Sequence, residues 1–185
     1  MTKKGQILDM SPLGMIFTVV KSKNDTAGKS LDLEWELLPQ CNMVDPLYHT
    51  HPEAIETYHV LEGEMEFYVK DKWLRAKKGD KLTVEKGVTH TFRNPTQARV
   101  KVYNTHEPAW DMEDYFEDVC KVIDCASDNR TRAFSMKSLK TMLLFGLLMN
   151  NYRKEIIAVN PPDLLVRVMG KIARVIGVNY NKSIP

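Results

Sequence analysis

From Leu31 to Leu37 apolar and acidic residues alternate: Leu31, Leu33, Trp35 and Leu37 against Asp32, Glu34 and Glu36. Successive side chains of a strand point to opposite faces, so this segment reads as a half-buried strand with one face in a core. Met15 to Val20 reads as an earlier strand. After Pro46 the chain breaks into short strands, expected near 47–51, 55–61, 65–70, 73–76, 81–85, 88–93 and 98–104. The breaks fall at Pro52-Glu53, Glu62-Gly63, Asp71-Lys72, Lys78-Gly79-Asp80, Lys86-Gly87 and Asn94-Pro95. Many short strands with Gly and Pro turns predict a sandwich or a barrel.

After Pro108 the apolar period becomes helical. Asp111 to Ile123 carries Met112, Tyr115, Phe116, Val119 and Ile123 with acids between them, the pattern of an amphipathic helix. Ser127 to Arg132 reads as a polar linker. Ser135 is the expected N-cap of a long helix reaching to about Ala158. The apolar residues of that helix cover more than one face, which predicts burial. Asn160-Pro161-Pro162-Asp163 ends it and opens a last helix over about 163–177. The division expected is a β region over 1–108 and a helical extension over 109–185. The extension is expected to pack on the β region or to complete a dimer, not to stand as an independent domain.

A chain of 185 residues suits one domain, or one domain with an appendage. The net charge of +2 selects no partner by its global field. The charge is unevenly placed, however. Residues 1–108 carry 15 basic and 15 acidic side chains, residues 109–125 one Lys against six acids, and residues 126–185 ten basic against three acidic. Mutual neutralisation or solvated faces account for this most simply. A basic surface toward an anionic partner is the alternative, with Arg167, Lys171 and Arg174 on one face of the last helix. Cys41, Cys120 and Cys125 are odd in number and form no dense framework, so reduced thiols in the cytoplasm are expected. No apolar h-region follows Met1, so a signal peptide is not expected. The longest apolar run, Met142 to Met149, is eight residues, against the roughly 20 that a membrane span needs.

The chemistry concentrates between residues 49 and 90. His49-Thr50-His51 places two imidazoles on one side of a strand. A turn at Pro52-Glu53-Ala54 leads into the next strand at Glu56, with Tyr58 and Val60 on its face and Thr57 and His59 opposite. From His49 to Gly63 the pattern is HxHxxxxExxxxxxG. From Gly79 to Asn94, through Gly87 and His90, it is GxxxxxxxGxxHxxxN. With this composition the first pattern arises by chance at on the order of 10⁻⁶ per starting position. A folded sheet can bring His90 onto the first three residues, and imidazole with carboxylate is a donor set for a divalent transition metal.

These two motifs resemble those of the cupin superfamily, over roughly residues 30–105. Two positions depart: Met43 stands at the opening glycine of the first motif, and Glu85 at the proline of the second. Both concern turns. The resemblance implies a mainly β fold, the cupin double-stranded β-helix or jelly-roll barrel, with His49, His51, Glu56 and His90 as metal ligands in its mouth. The segments Asn129-Arg130-Thr131-Arg132, Tyr152-Arg153-Lys154-Glu155-Ile156, Pro161-Pro162 and Ile176-Gly177-Val178 are similar to a C-terminal extension of small cupins of unassigned function.

Three imidazoles and one carboxylate without a thiolate suit Fe, Mn, Ni, Co or Zn as a divalent ion. Such a site can polarise a bound oxygen or lower the pKa of bound water. Tyr58 is expected either to share the cavity and act with Glu56 in catalysis, or to pack in its wall. His59 is expected to face outward. His106 is expected to lie past the last strand, and neither is expected to bind metal. Trp35, Phe92 and the inward leucines predict an apolar pocket for an aromatic or otherwise apolar small molecule. The leading expectation is a metal-dependent enzyme acting on a small organic molecule, with oxygenase-like chemistry ahead of isomerisation or decarboxylation. A non-catalytic binding or sensing protein is the alternative. A regulator touching nucleic acid comes last, because no helix-turn-helix pattern is present. A homodimer is expected, since exposed strand edges favour pairing.

Overall fold

The computed structural model describes residues 3–41, 47–128 and 133–180. In chain order the strands are β1 (Ile7–Met10), β2 (Met15–Lys21), β3 (Leu31–Leu37), β4 (Tyr48–Thr50), β5 (Ile55–Glu62), β6 (Glu64–Val69), β7 (Lys72–Lys77), β8 (Lys81–Val84), β9 (His90–Arg93) and β10 (Val100–Glu107). Helices α1 (Met112–Ala126) and α2 (Leu139–Asn151) follow, then β11 (Ile157–Asn160) and α3 (Asp163–Val175). One sheet has the order β1-β2-β3-β10-β5-β8 and the other β11-β4-β9-β6-β7. Every paired neighbour is antiparallel. From β3 onward the chain passes back and forth between the sheets, the jelly-roll arrangement. That crossing brings strands distant in sequence side by side.

The strand alternation is realised. Leu31, Leu33, Trp35 and Leu37 are all in the core. Asp32, on the opposite face, is also buried. Its carboxylate accepts from Lys21 Nζ at 2.9 Å, Ser30 Oγ at 2.7 Å and Tyr103 Oη at 2.8 Å, which offsets the desolvation. The β6–β7 hairpin turns on Lys70 and Asp71, both left-handed at φ 50° and 60°. A two-residue hairpin loop needs that geometry to match the strand twist. Gly63 closes the β5–β6 turn at φ 81°, and a Cβ there would stand 3.0 Å from the Arg99 carbonyl oxygen.

Several elements differ from expectation. β1 was not expected; it has four residues, too few for a period to stand out. β10 runs to Glu107, so His106 belongs to the sheet and does not lie past it. α2 is capped by Ser138, whose Oγ accepts from Thr141 N at 3.1 Å, and not by Ser135. It ends at Asn151, well short of Ala158. Residues Ile157–Asn160 instead form β11, which pairs with β4. A free sheet edge offers this apolar, partly β-branched segment a ladder, and the ladder outweighs the helical pattern. The extension is therefore not wholly helical. Residues 129–132 of the expected linker lie outside the described residues. Among the described residues no helix is long and apolar enough to cross a membrane.

α1 packs on β1, and α2 lies against α1 and α3, buried on nearly all sides as expected. Cys120 and Cys125 pack against the core. α3 crosses α2 where Gly146 meets Gly170. A Cβ on Gly170 would overlap the Asn150 side-chain amide and the Gly146 carbonyl oxygen. Gly170→Ala must push the two helices apart, at a cost of about 1–3 kcal/mol in overpacking. Urea denaturation should show a lower midpoint for Gly170→Ala with the denaturant slope unchanged; an unchanged midpoint would mean the crossing is loose.

Candidate metal centre

Each sheet contributes a cross-strand pair. On β4 and β9, His49 faces His90. On β5 and β10, Glu56 faces His106. His51 follows β4 directly. His49, His51, Glu56 and His90 are buried, and their ligating atoms all lie within 4.8 Å of one another. The four residues singled out by the motifs are thus together. The turn carrying Glu85 in the second motif is intact: Val88 N donates to Glu85 O at 3.1 Å and Gly87 N to His51 O at 2.8 Å. Met43 lies outside the described residues.

The orientation of the imidazoles is set by backbone carbonyls. Nδ1 stands 2.8 Å from Leu47 O in His49, 2.6 Å from Glu155 O in His51 and 2.9 Å from Val88 O in His90. A carbonyl oxygen only accepts, so each Nδ1 carries the proton and donates it. Each Nε2 is then left with its lone pair. His90 Nε2 is 2.8 Å and His51 Nε2 3.2 Å from Glu56 Oε2. Lone pairs facing a carboxylate at these distances repel unless a cation lies between them. A proton meets that need, and so does a metal ion. Neutral imidazoles with the second nitrogen held by a carbonyl are the usual arrangement of metal-binding histidines. The cluster is compatible with a divalent metal ion.

The other carboxylate oxygen is held separately. Asn104 Nδ2 donates to Glu56 Oε1 at 2.9 Å, and His106 Nε2 lies 3.2 Å from the same atom. Burial alone would push the Glu56 pKa up, but the adjoining His106 and His51 outweigh it and hold the carboxyl well below its ordinary range. Burial, with His90 and His51 close by, holds His49 well below the ordinary imidazole value. Burial likewise lowers His106, against the pull of Glu56. His51 is raised: burial opposes this, and the hydrogen bond and charge of Glu56 prevail.

Tyr58 is placed differently from the catalytic expectation. It is 1% exposed and packed among Trp35, Phe67 and Phe92. It is not among the residues lining the cavity above the cluster. Burial first, and the Glu56 charge second, hold its hydroxyl well above the ordinary value. That cavity has a volume of about 550 Å³ and is bounded by both sheets and all three helices. Sequence reasoning missed His106, Asn104 and the Glu155 carbonyl. His106 and Asn104 share one face of β10, a period-two signal that extending the last strand would have exposed. No local signal marks Glu155.

Residues 35–106 match the family model of the cupin domain. That stretch is a cupin domain. It runs from Trp35 in the cavity wall to His106 beside Glu56 and encloses all four clustered residues. No curated protein sequence matches the chain. Several solved structures resemble it in part. A "predicted oxalate decarboxylase" from Thermotoga maritima is 22% identical, with 51% of this chain and 80% of that one covered at a TM-score of 0.46. Streptomyces Pac13, a nucleoside dehydratase, is 15% identical, with 60% and 82% covered at 0.47. KdgF from Halomonas sp. is 14% identical, with 58% and 92% covered at 0.49.

The shifts fix a pH dependence for the metal-free protein. His49 and His106 sit below the ordinary 6.5, so below that pH the unfolded chain binds protons the folded one refuses. Glu56 is held below the ordinary 4.5; its contribution is present above that value and lost as pH falls. His51 acts oppositely, contributing fully below 6.5 and losing its contribution as pH rises through its raised value. Between pH 5 and 7.5 the Glu56 contribution is already present, so His49 and His106 stand against His51, and these two predict a lower urea midpoint at pH 5 than at pH 7.5 in chelator-treated protein. The reverse order would show that the His51–Glu56 pair dominates.

Proposed function

We propose that this cupin holds one divalent transition metal ion through His49, His51, Glu56 and His90, and that it is an enzyme acting on a small organic molecule. The observation that carries the reading is the set of three Nδ1-anchored imidazoles whose Nε2 lone pairs converge near one carboxylate. Fe, Mn, Ni, Co and Zn all accept these donors. Bound there, such an ion supplies Lewis acidity and, where it is redox-active, dioxygen chemistry of the oxygenase kind. The protein's own part is positional. The carbonyls of Leu47, Val88 and Glu155 keep the imidazoles neutral and aimed. Asn104 and His106 hold Glu56 Oε1, which leaves Oε2 toward the histidines. The apolar walls exclude water from the ligand.

The alternative is a metal-dependent binding or sensing protein without turnover. It is favoured by the scarcity of groups that could move a proton: beyond the cluster and His106, the titratable side chains lining the cavity are Tyr115 and Lys137. The Tyr115 hydroxyl is turned to Met149 Sδ at 3.9 Å. Turnover of any substrate by the metal-loaded protein decides between the two readings.

Elemental analysis of protein purified without added metal should find about one transition ion per chain, and His51→Ala should lose it while keeping the circular dichroism spectrum of the parent. A chain that stays metal-free after reconstitution with each of the five ions would overturn the proposal. Removing the support of Glu56 tests the same centre more gently. Asn104→Ala should weaken metal affinity by about 10–100-fold, the usual effect of losing a group that orients a ligand, in a competition titration against a chelator.

A further inference from the structure

The cavity above the cluster has walls of one chemical kind. Seven of the chain's ten methionines line it. Met10 and Met15 come from the sheet side. Met112, Met136, Met142, Met149 and Met169 come from the helical roof and its connections. Polar groups stand at its two ends. The floor is His49, His51, Glu56 and His106, all buried. The mouth is marked by Lys137, Asn160, Pro161 and Leu165, all exposed. Between the ends the wall offers no donor or acceptor series with which to read a sugar, a nucleotide or an amino acid.

Methionine is unbranched, with three rotatable side-chain bonds and a polarisable sulfur. Walls built from it reshape around the occupant instead of imposing one outline. A rigid planar ligand is better held by fixed aromatic and branched walls. A chain that changes conformation suits an adaptable one. The floor, with His49, His51, Glu56 and His106, is the polar end of the cavity, so an oxygen-bearing head belongs there and an aliphatic tail along the methionine walls.

We propose that the ligand of this site is a flexible, mainly aliphatic molecule, of acyl-chain or isoprenoid kind, with a single oxygen-bearing head at the histidine end and its tail toward the mouth. At roughly 30 Å³ per methylene, about the share of a similar-sized water in the liquid, the cavity of about 550 Å³ takes a chain on the order of eighteen carbons. The assignment of the reactive end rests on the metal reading above; the assignment of the chain does not.

The test is a titration of the purified chain with 1-decanol, 1-dodecanol, 1-hexadecanol, 1-octadecanol and 1-eicosanol, followed by intrinsic tryptophan fluorescence, since Trp35 lies in the wall. Affinity should tighten about fourfold per added methylene and level off where the cavity is full. Farnesol against 1-dodecanol distinguishes the isoprenoid source from the acyl source by whichever binds tighter. Met149→Trp, filling the cavity, should weaken 1-dodecanol at least tenfold. Leu165→Trp at the mouth should weaken it too, and is an exposed change that the fold tolerates. Leu164→Trp, outside the lining, should leave it unchanged. Affinity that is flat with chain length, or equal in Met149→Trp and Leu165→Trp to the parent, would overturn the proposal. His51→Ala separates the two readings: retained chain-length dependence in that variant upholds the aliphatic ligand whether or not its metal is lost.

Discussion

The Glu56 carboxylate, 1% exposed and enclosed by His51, His90, His106 and Asn104, imposes conditions on everything around it. An ionised carboxylate taken out of water without compensation is costly enough that it protonates instead. Here β5 and β10 bring Asn104 and His106 to Oε1 as donors, and the β4–β9 side brings the Nε2 atoms of His51 and His90 to Oε2, where a proton or a metal ion between them supplies the compensating charge. If the sheets slid by one residue, every one of these side chains would turn to the opposite face. The register of the jelly roll and the charge state of one residue are therefore the same constraint seen at two scales.

A second condition follows from the imidazoles. Leu47 O and Val88 O each lie two residues before the histidine they hold, so His49 and His90 are oriented locally by their own strands. His51 depends on Glu155 O, more than a hundred residues away in sequence. That carbonyl is fixed because the chain leaves α2 at Asn151 and enters β11, which is laid on the free edge of β4 beside His49. The C-terminal segment is thus part of the centre. Without β11 the third imidazole loses the partner that sets its tautomer, and the converging lone pairs lose one of their number.

What could be read from the sequence divides along the same line. His49, His51 and Glu56 sit within eight consecutive residues, and His90 follows a turn pattern of its own, so their spacing carries their role. The alternation of Leu31 to Leu37 states its burial directly. The supports were not legible because they are tertiary. Glu155 contributes a backbone carbonyl, for which residue type is no signal. Ile157 to Asn160 continues a helical pattern in sequence and becomes a strand only because an edge is there to pair with. His106 was misplaced by ending the last strand at residue 104, three residues before β10 ends at Glu107, and Asn104, inside that strand, was passed over. Tyr58 shares the Glu56 face, as its spacing indicates, and packs in the wall with Trp35 and Phe92, the second of its two expected places.

The helices complete an electrical division of the interior. Apart from Lys137 at the mouth, the charge of the site is on its floor, while the roof of α1, α2 and α3 presents mainly methionine, phenylalanine, leucine and valine. Apolar walls lower the local dielectric, and an interaction between charges grows in proportion as the dielectric falls. The same roof that shapes the cavity therefore strengthens the hold of the histidines on Glu56 and on any cation placed between them. It also explains the tight crossing at Gly146 and Gly170. α2 and α3 both wall the cavity, and two residues without side chains permit their close approach. Packing at that crossing is thus coupled to the electrostatics of the floor, because opening the roof would admit water and weaken every pair beneath it.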